Sequence, residues 1–276
     1  MNRQWTLAAL IAGCLLAIAQ LAAATAEPQQ AADRRVAELA RADLARAGKV
    51  RVGLFLPQYI KDPATGQLRS VWVETARAFA GHLGVQLVVV EHATPPEAIA
   101  CLKAGACDVM FLPLDARAAA VGDFSNPIFQ FDYTLLVPAG SSIAGIADAD
   151  RPGIRIAAVR NHASTIELSS QLKQAELVYA ETPDSTFDLV RTGQAHVMAS
   201  TRLALLDFSD RLPGSRVLEQ RYGANINRMV VPKGKADWLA YVGEFVENAK
   251  TSGLVQKAIE RGGTRGVTPA PAGNAN

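Results

Sequence analysis

The sequence predicts an α/β protein made of two similar units. A strand–helix–strand–helix–strand rhythm runs from residue 50 to 112, and a second runs from 153 to 199. Parallel sheets with helices on their faces are built from that alternation. Two extended runs, one within residues 133–142 that ends in a Pro/Gly/Ser loop and one at 227–232, are placed to cross from one unit to the other and back.

Each element has a local reason. In residues 31–47, Val36, Leu39, Ala40 and Leu44 share one face at helical spacing, and Gly48 ends that leading helix. Residues 50–56 (VRVGLFL) form a first buried strand, followed by a polar loop at 57–67. The next helix turns Val73, Ala76, Phe79, Ala80 and Leu83 inward and stops at Gly84. Residues 85–90 are a second strand, Pro95 and Pro96 open a helix that runs to Ala104, and 108–112 are a third strand. In the second unit, strands at 153–159, 177–179 and 197–199 alternate with helices at 164–173 and 186–191. Two closing helices carry Trp238, Tyr241, Val242, Phe245 and Val246, then Leu254, Val255 and Ile259. Residues 263–276, rich in Gly, Pro, Ala and Asn, are expected to be disordered.

With 276 residues, 49% hydrophobic and 20% charged, the chain has an ordinary globular balance. Its formal net charge of +2 falls to +2 − 1 = +1 without residues 1–26, which hold one Arg and no acid. There is no Lys/Arg stripe, so no nucleic acid is expected as a partner.

At the N-terminus Arg3 precedes an uncharged run from Leu7 to Ala24, closed by Ala24-Thr25-Ala26. That is the layout of a secretory signal over residues 1–26, with an uncleaved anchor as the alternative. Ile11-Ala12-Gly13-Cys14 resembles a lipoprotein box, but the apolar run continues past Cys14, which argues against lipidation. A soluble, monomeric periplasmic protein starting at Glu27 is expected, with no stable membrane insertion after cleavage. Export puts Cys101 and Cys107 in an oxidising compartment. They flank a helix end capped by Gly105 and are either bridged or two small buried residues.

From about Lys49 to Arg261 the chain resembles the bacterial extracellular solute-binding family that includes the polar-amino-acid receptors of ABC transporters. The matching pieces fall in the family's order. They are Lys49-Val50-Arg51-Val52-Gly53, Pro57-Gln58-Tyr59, Leu102 to Val109, Arg117 before Asp123-Phe124-Ser125-Asn126-Pro127, Ile146-Ala147-Asp148, and Gly153 to Ala157. The resemblance implies a two-lobed type II periplasmic-binding-protein fold, two α/β lobes joined by two hinge strands. It also implies a small-molecule ligand in the cleft and an ABC permease as partner. Lobe one is expected at 49–135 plus 226–262, after a leading segment at 27–48. Lobe two is expected at 136–225, each lobe with its own sheet and hinges at 135–138 and 225–228.

The resemblance also implies site residues. Arg117 falls where the family clamps a ligand carboxylate, using a planar donor fork, with a surface Arg opening a helix as the alternative. Leu114 and Asp115, with Pro113, replace the family's hydroxyl residues before it. Thr201, followed by Arg202, stands where the family places the acid for the ligand's ammonium, and His196 replaces another acid. A buried ammonium lacking a carboxylate is costly, so an anionic or carboxylate-bearing solute is expected, with Arg202 beside Arg117. Tyr59 and Trp72 are candidates for an aromatic wall, and core packing is the alternative for each. Asn161 and His162 match a ligand-contacting turn, with an exposed neighbour of the helix cap as the alternative for His162.

No nucleophile elbow, Walker loop, dinucleotide glycine pattern or H-E-x-x-H occurs, and no cofactor, metal or catalytic residue is assigned. A Glu74–His162 acid/base pair is the one catalytic arrangement considered. Two other functions stay open. One is an exported enzyme on the same fold, resembling the cyclohexadienyl dehydratases. The other is a periplasmic sensor or accessory protein of a redox enzyme.

Overall fold

The computed structural model describes residue 35 and residues 38–273. The signal read at residues 1–26, with Cys14, lies outside the described residues. No described helix is long and apolar enough to cross a membrane.

The chain opens with a helix, α1 (residues 38–45), that buries Ala40 and Leu44 but leaves Leu39 62% exposed, against expectation. Then follow β1 (Lys49–Phe55), the short hairpin β2 (Ile60–Lys61) and β3 (Leu68–Arg69), α2 (Val71–Leu83) and β4 (Gln86–His92). Next come α3 (Pro95–Lys103), β5 (Val109–Pro113) and a single turn, α4 (Ala116–Ala119). A long strand, β6 (Gly122–Val137), leads through α5 (Ile146–Ala149) into the second unit: β7 (Arg155–Val159), α6 (Ala163–Gln171), β8 (Glu176–Ala180), α7 (Pro183–Arg191) and β9 (Val197–Thr201). After α8 (Arg202–Asp210) and β10 (Arg216–Val217), β11 (Gly223–Pro232) returns to the first unit. There α9 (Ala236–Thr251), α10 (Leu254–Gly262) and β12 (Val267–Pro269) complete the chain.

The helix α2 shows how sequence becomes structure. The side chain of Ser70 accepts from the Val73 N–H at one end, and Gly84 takes a left-handed φ of 76° at the other. All five residues expected to face inward are buried.

The strands form one ladder in the order β4-β1-β5-β11-β6-β9-β7-β8, rather than two separate sheets. The reason is the length of β6, which pairs with β11 from Gly122 to Tyr133 and with β9 from Tyr133 to Leu136. Side-chain packing nevertheless divides in two. One half packs α2, α9 and α10 against one sheet face, with Phe79, Phe129 and Tyr241, and packs Leu102, Met110 and Ala118 on the other. The other half packs Ile156 and Leu168 on one face and Phe187, Met198 and Phe208 on the other. Along β6, Phe131 belongs to the first core and Tyr133 to the second. Packing thus changes over at Asp132, a few residues before the expected crossing, because β9 already pairs at Tyr133.

Cys101 and Cys107 are bridged, with Cα atoms 5.3 Å apart. Gly105, at φ 67°, turns the chain so that Ala106 and Cys107 both donate to the Cys101 carbonyl at 3.0 and 3.2 Å.

The tail corrects its composition-based reading: it is ordered through Gly273. Thr264 Oγ1 accepts from the Val71 N–H at 2.9 Å, and Arg265 pairs with Asp210 of α8 at 2.5 Å. The strand β12 then runs antiparallel along Phe129–Phe131 of β6. Specific contacts outweigh a composition that is otherwise poor in apolar groups.

Candidate functional site

Loops of both units gather where β6 and β11 cross. From the first unit come the turn after β1 and the segment between β5 and α4. From the second come the turn between β7 and α6 and the junction of β9 with α8.

The turn after β1 is pinned by a residue not singled out in the sequence. Gln58 is buried, donates to the Phe111 carbonyl at 2.8 Å, and accepts from the Phe55 N–H. Tyr59 beside it is half-buried, its hydroxyl 3.4 Å from the His92 carbonyl. Trp72 is a core residue rather than a wall of open space. It is 6% exposed, stacks on Phe131 at 5.0 Å, and donates from Nε1 to Asn227 at 3.1 Å.

Beyond β5, Leu114 is 58% exposed. Asp115 caps α4 by accepting from the Ala118 N–H at 2.8 Å. The side chain of Arg117 is 81% exposed, and its one ion-pair partner among the described residues is Asp115 at 4.0 Å. A guanidinium this free keeps its fork available.

In the second unit Asn161 takes a left-handed φ of 58° and turns the chain into α6. His162 shares a 2.8 Å hydrogen bond with Ser164. Although the ring reaches solvent, the protein around it disfavours the imidazolium and holds its pKa below the ordinary value. The Glu74–His162 pair considered from the sequence does not form, since Glu74 is bonded to Arg77 one turn along α2. Thr201 caps α8, accepting from the Ala204 N–H at 3.3 Å. His196 is also structural, its Nδ1 accepting from the Arg155 N–H at 2.9 Å.

Arg202 is the clearest correction. Its side chain is 14% exposed and donates to the Leu218 and Glu219 carbonyls at 2.8 Å each, with Asp132 at 3.6 Å. Those partners consume the guanidinium, so it ties the crossing together and is not a free anchor beside Arg117. Next to it, Tyr133 and Tyr222 lie with ring centres 6.0 Å apart. Burial pushes both hydroxyls up in pKa, and that of Tyr222 is buried without a well-formed hydrogen bond.

The order of elements, the crossing strands and the loops at their ends coincide with a known pattern over most of the chain. Residues 55–261 match the bacterial extracellular solute-binding proteins, family 3. The chain belongs to that family. Its fold is the type II periplasmic-binding-protein fold, two α/β lobes joined by two strands. No curated protein matches the sequence. Among solved structures, it is similar to an ancestral cationic amino acid solute-binding protein, at 22% identity and a TM-score of 0.65, covering 80% of this chain and 98% of that one. It is similar at 22% identity and a TM-score of 0.61 to a putative ABC-transporter binding component from Wolinella succinogenes complexed with lysine, covering 78% and 95%. An ancestral cyclohexadienyl dehydratase shares the fold at 24% identity and a TM-score of 0.59, covering 80% and 95%. Identities this low speak for the fold, and function has to come from the site.

Proposed function

We propose that this solute-binding protein is exported to the periplasm, captures a small carboxylate-bearing solute between its lobes, and presents it to the permease of an ABC importer. The lobes are residues 49–135 plus 226–262 and residues 136–225, closing about the crossing strands. The observation that carries the ligand class is Arg117, exposed, with only a loose 4.0 Å contact to Asp115, which is itself engaged in capping α4. Thr201, whose hydroxyl caps α8, offers no counter-charge to an ammonium group at that position. A binding role fits better than catalysis because His162 hydrogen-bonds only to Ser164 and pairs with no carboxylate among the described residues.

Titration calorimetry against the twenty amino acids and a panel of small carboxylates tests this. A charge-assisted Arg–carboxylate pair costs about 2–5 kcal/mol when one partner is truncated. Arg117→Ala should therefore weaken binding roughly 30-fold or more. Tight binding of an ordinary amino acid by the natural protein would sink the proposal, as would turnover of prephenate or arogenate.

A further inference from the structure

A second arginine near this site makes no side-chain hydrogen bond or ion pair among the described residues. Arg228 lies on β11, half-buried, with Leu112 of β5 opposite it on one side and Pro127 of β6 on the other. The register of β11 against β6 shifts both before and after Arg228. Pro127 has no N–H to give the ladder, and bulges of this kind re-aim a side chain. Directly opposed residues share a sheet face. Leu112 faces the core that includes Ala118 of α4, so Arg228 stands on the face that α4 covers, and α4 carries Arg117. The connection from Leu112 to α4 is only Pro113-Leu114-Asp115.

The acids on the neighbouring elements are committed elsewhere. Asp115 caps α4, Asp123 is 2.6 Å from Lys233, and Asp132 is 3.1 Å from Arg221. Partial burial pulls the Arg228 guanidinium below its ordinary pKa, and no neighbouring carboxylate offsets that. A desolvated cation without an acceptor is a standing cost to the empty protein, and an anionic ligand removes it.

We infer that Arg228 is a second anion anchor beside Arg117, and that the solute is a small acid with two carboxylates. The inference rests on the carboxylate reading above but adds to it. One free arginine suits a monocarboxylate, whereas two on the same face and end of the sheet favour a dianion over a monoanion of equal length. The absence of an acid at Thr201 points the same way.

The test measures binding of C3 to C6 dicarboxylates and of chain-matched monocarboxylates to the natural protein, Arg117→Ala, Arg228→Ala and Arg228→Met. The natural protein should prefer the dicarboxylates, and each Arg228 variant should lose roughly 30-fold on them while changing little toward monocarboxylates. Unliganded Arg228→Met, which keeps an apolar stem, should melt no lower than the natural protein. Equal affinity for both classes with Arg228 variants that bind normally overturns the inference but leaves the carboxylate reading standing. A lower melting temperature in Arg228→Met with unchanged selectivity makes Arg228 structural and overturns it as well. If no carboxylate binds and Arg117→Ala is silent, both readings fall together.

Discussion

Arg202→Ala separates a structural arginine from a ligand anchor. The substitution removes two hydrogen bonds from a charged donor, to the carbonyls of Leu218 and Glu219, and a 3.6 Å contact with Asp132. Bonds from charged donors are worth about 1.5–3 kcal/mol each, but not all of that is lost. The Leu218 carbonyl keeps the Thr134 hydroxyl at 2.9 Å, and Asp132 keeps Arg221 at 3.1 Å. Only the Glu219 carbonyl loses its partner outright, and it lies near solvent. The net loss should be about 3 kcal/mol, a fall in Tm of roughly 6–12 °C for a protein of this size. Arg202→Lys keeps the charge but not the fork and should recover part of it. Thermal and urea denaturation without ligand provide the measurement. An Arg202→Ala protein of normal stability that no longer binds its solute would refute this reasoning and return Arg202 to the ligand.

Two further outcomes follow from the contacts at the ends of the chain and from its carboxylates. Ending the chain after Gly263 removes β12, the Thr264 acceptor for the Val71 N–H and the Arg265–Asp210 pair. Stability measured by denaturation should fall by about 1–3 kcal/mol, and an unchanged midpoint would show the tail to be dispensable. Hydrogen bonding to Lys233 and Gly234 lowers the pKa of Asp123, and the backbone N–H groups of residues 173–175 lower that of Asp150, each from 3.8. Both groups favour the folded state above the unfolded value, and their contribution drains as pH falls through the lower folded values. Asp123→Asn with Asp150→Asn should be less stable at pH 7 and lose less between pH 5 and pH 3, and parallel pH profiles would count against this.

The fold was legible wherever periodicity alone specifies an element. In α2 five apolar residues at helical spacing, a serine before them and a glycine after them all agree. The first half of β6 was not legible, because Asp123, Ser125, Asn126 and Pro127 interrupt its pattern. That stretch is a strand because β11 pairs with it, which is a tertiary fact. The same holds at the site. Nothing near Trp72 in the chain announces Phe131, and nothing near Arg202 announces the carbonyls of Leu218 and Glu219. Arg117 could be named as a candidate because its position follows from an ordered set of motifs. Arg228 could not, since its signal is a lack of partners that only the folded chain reveals.

The arginines at the crossing divide by what they touch, and that division is a physical argument about function. Arg202 and Arg221 both reach Asp132, where β6 passes from one core to the other. Each cation there has an acceptor, so the crossing is held without a ligand. Arg117, in the first α/β unit, has only Asp115 at 4.0 Å, and Arg228 of β11 has no ion pair among the described residues. For exposed Arg117 water supplies the acceptors at little cost, whereas half-buried Arg228 has lost part of its hydration. A chain that needed only stability would do better with an apolar residue at position 228. On the proposal that an anion binds there, the guanidinium makes the empty protein slightly worse and the loaded protein better. That difference in free energy between the two states is what a closing binding protein requires of its ligand.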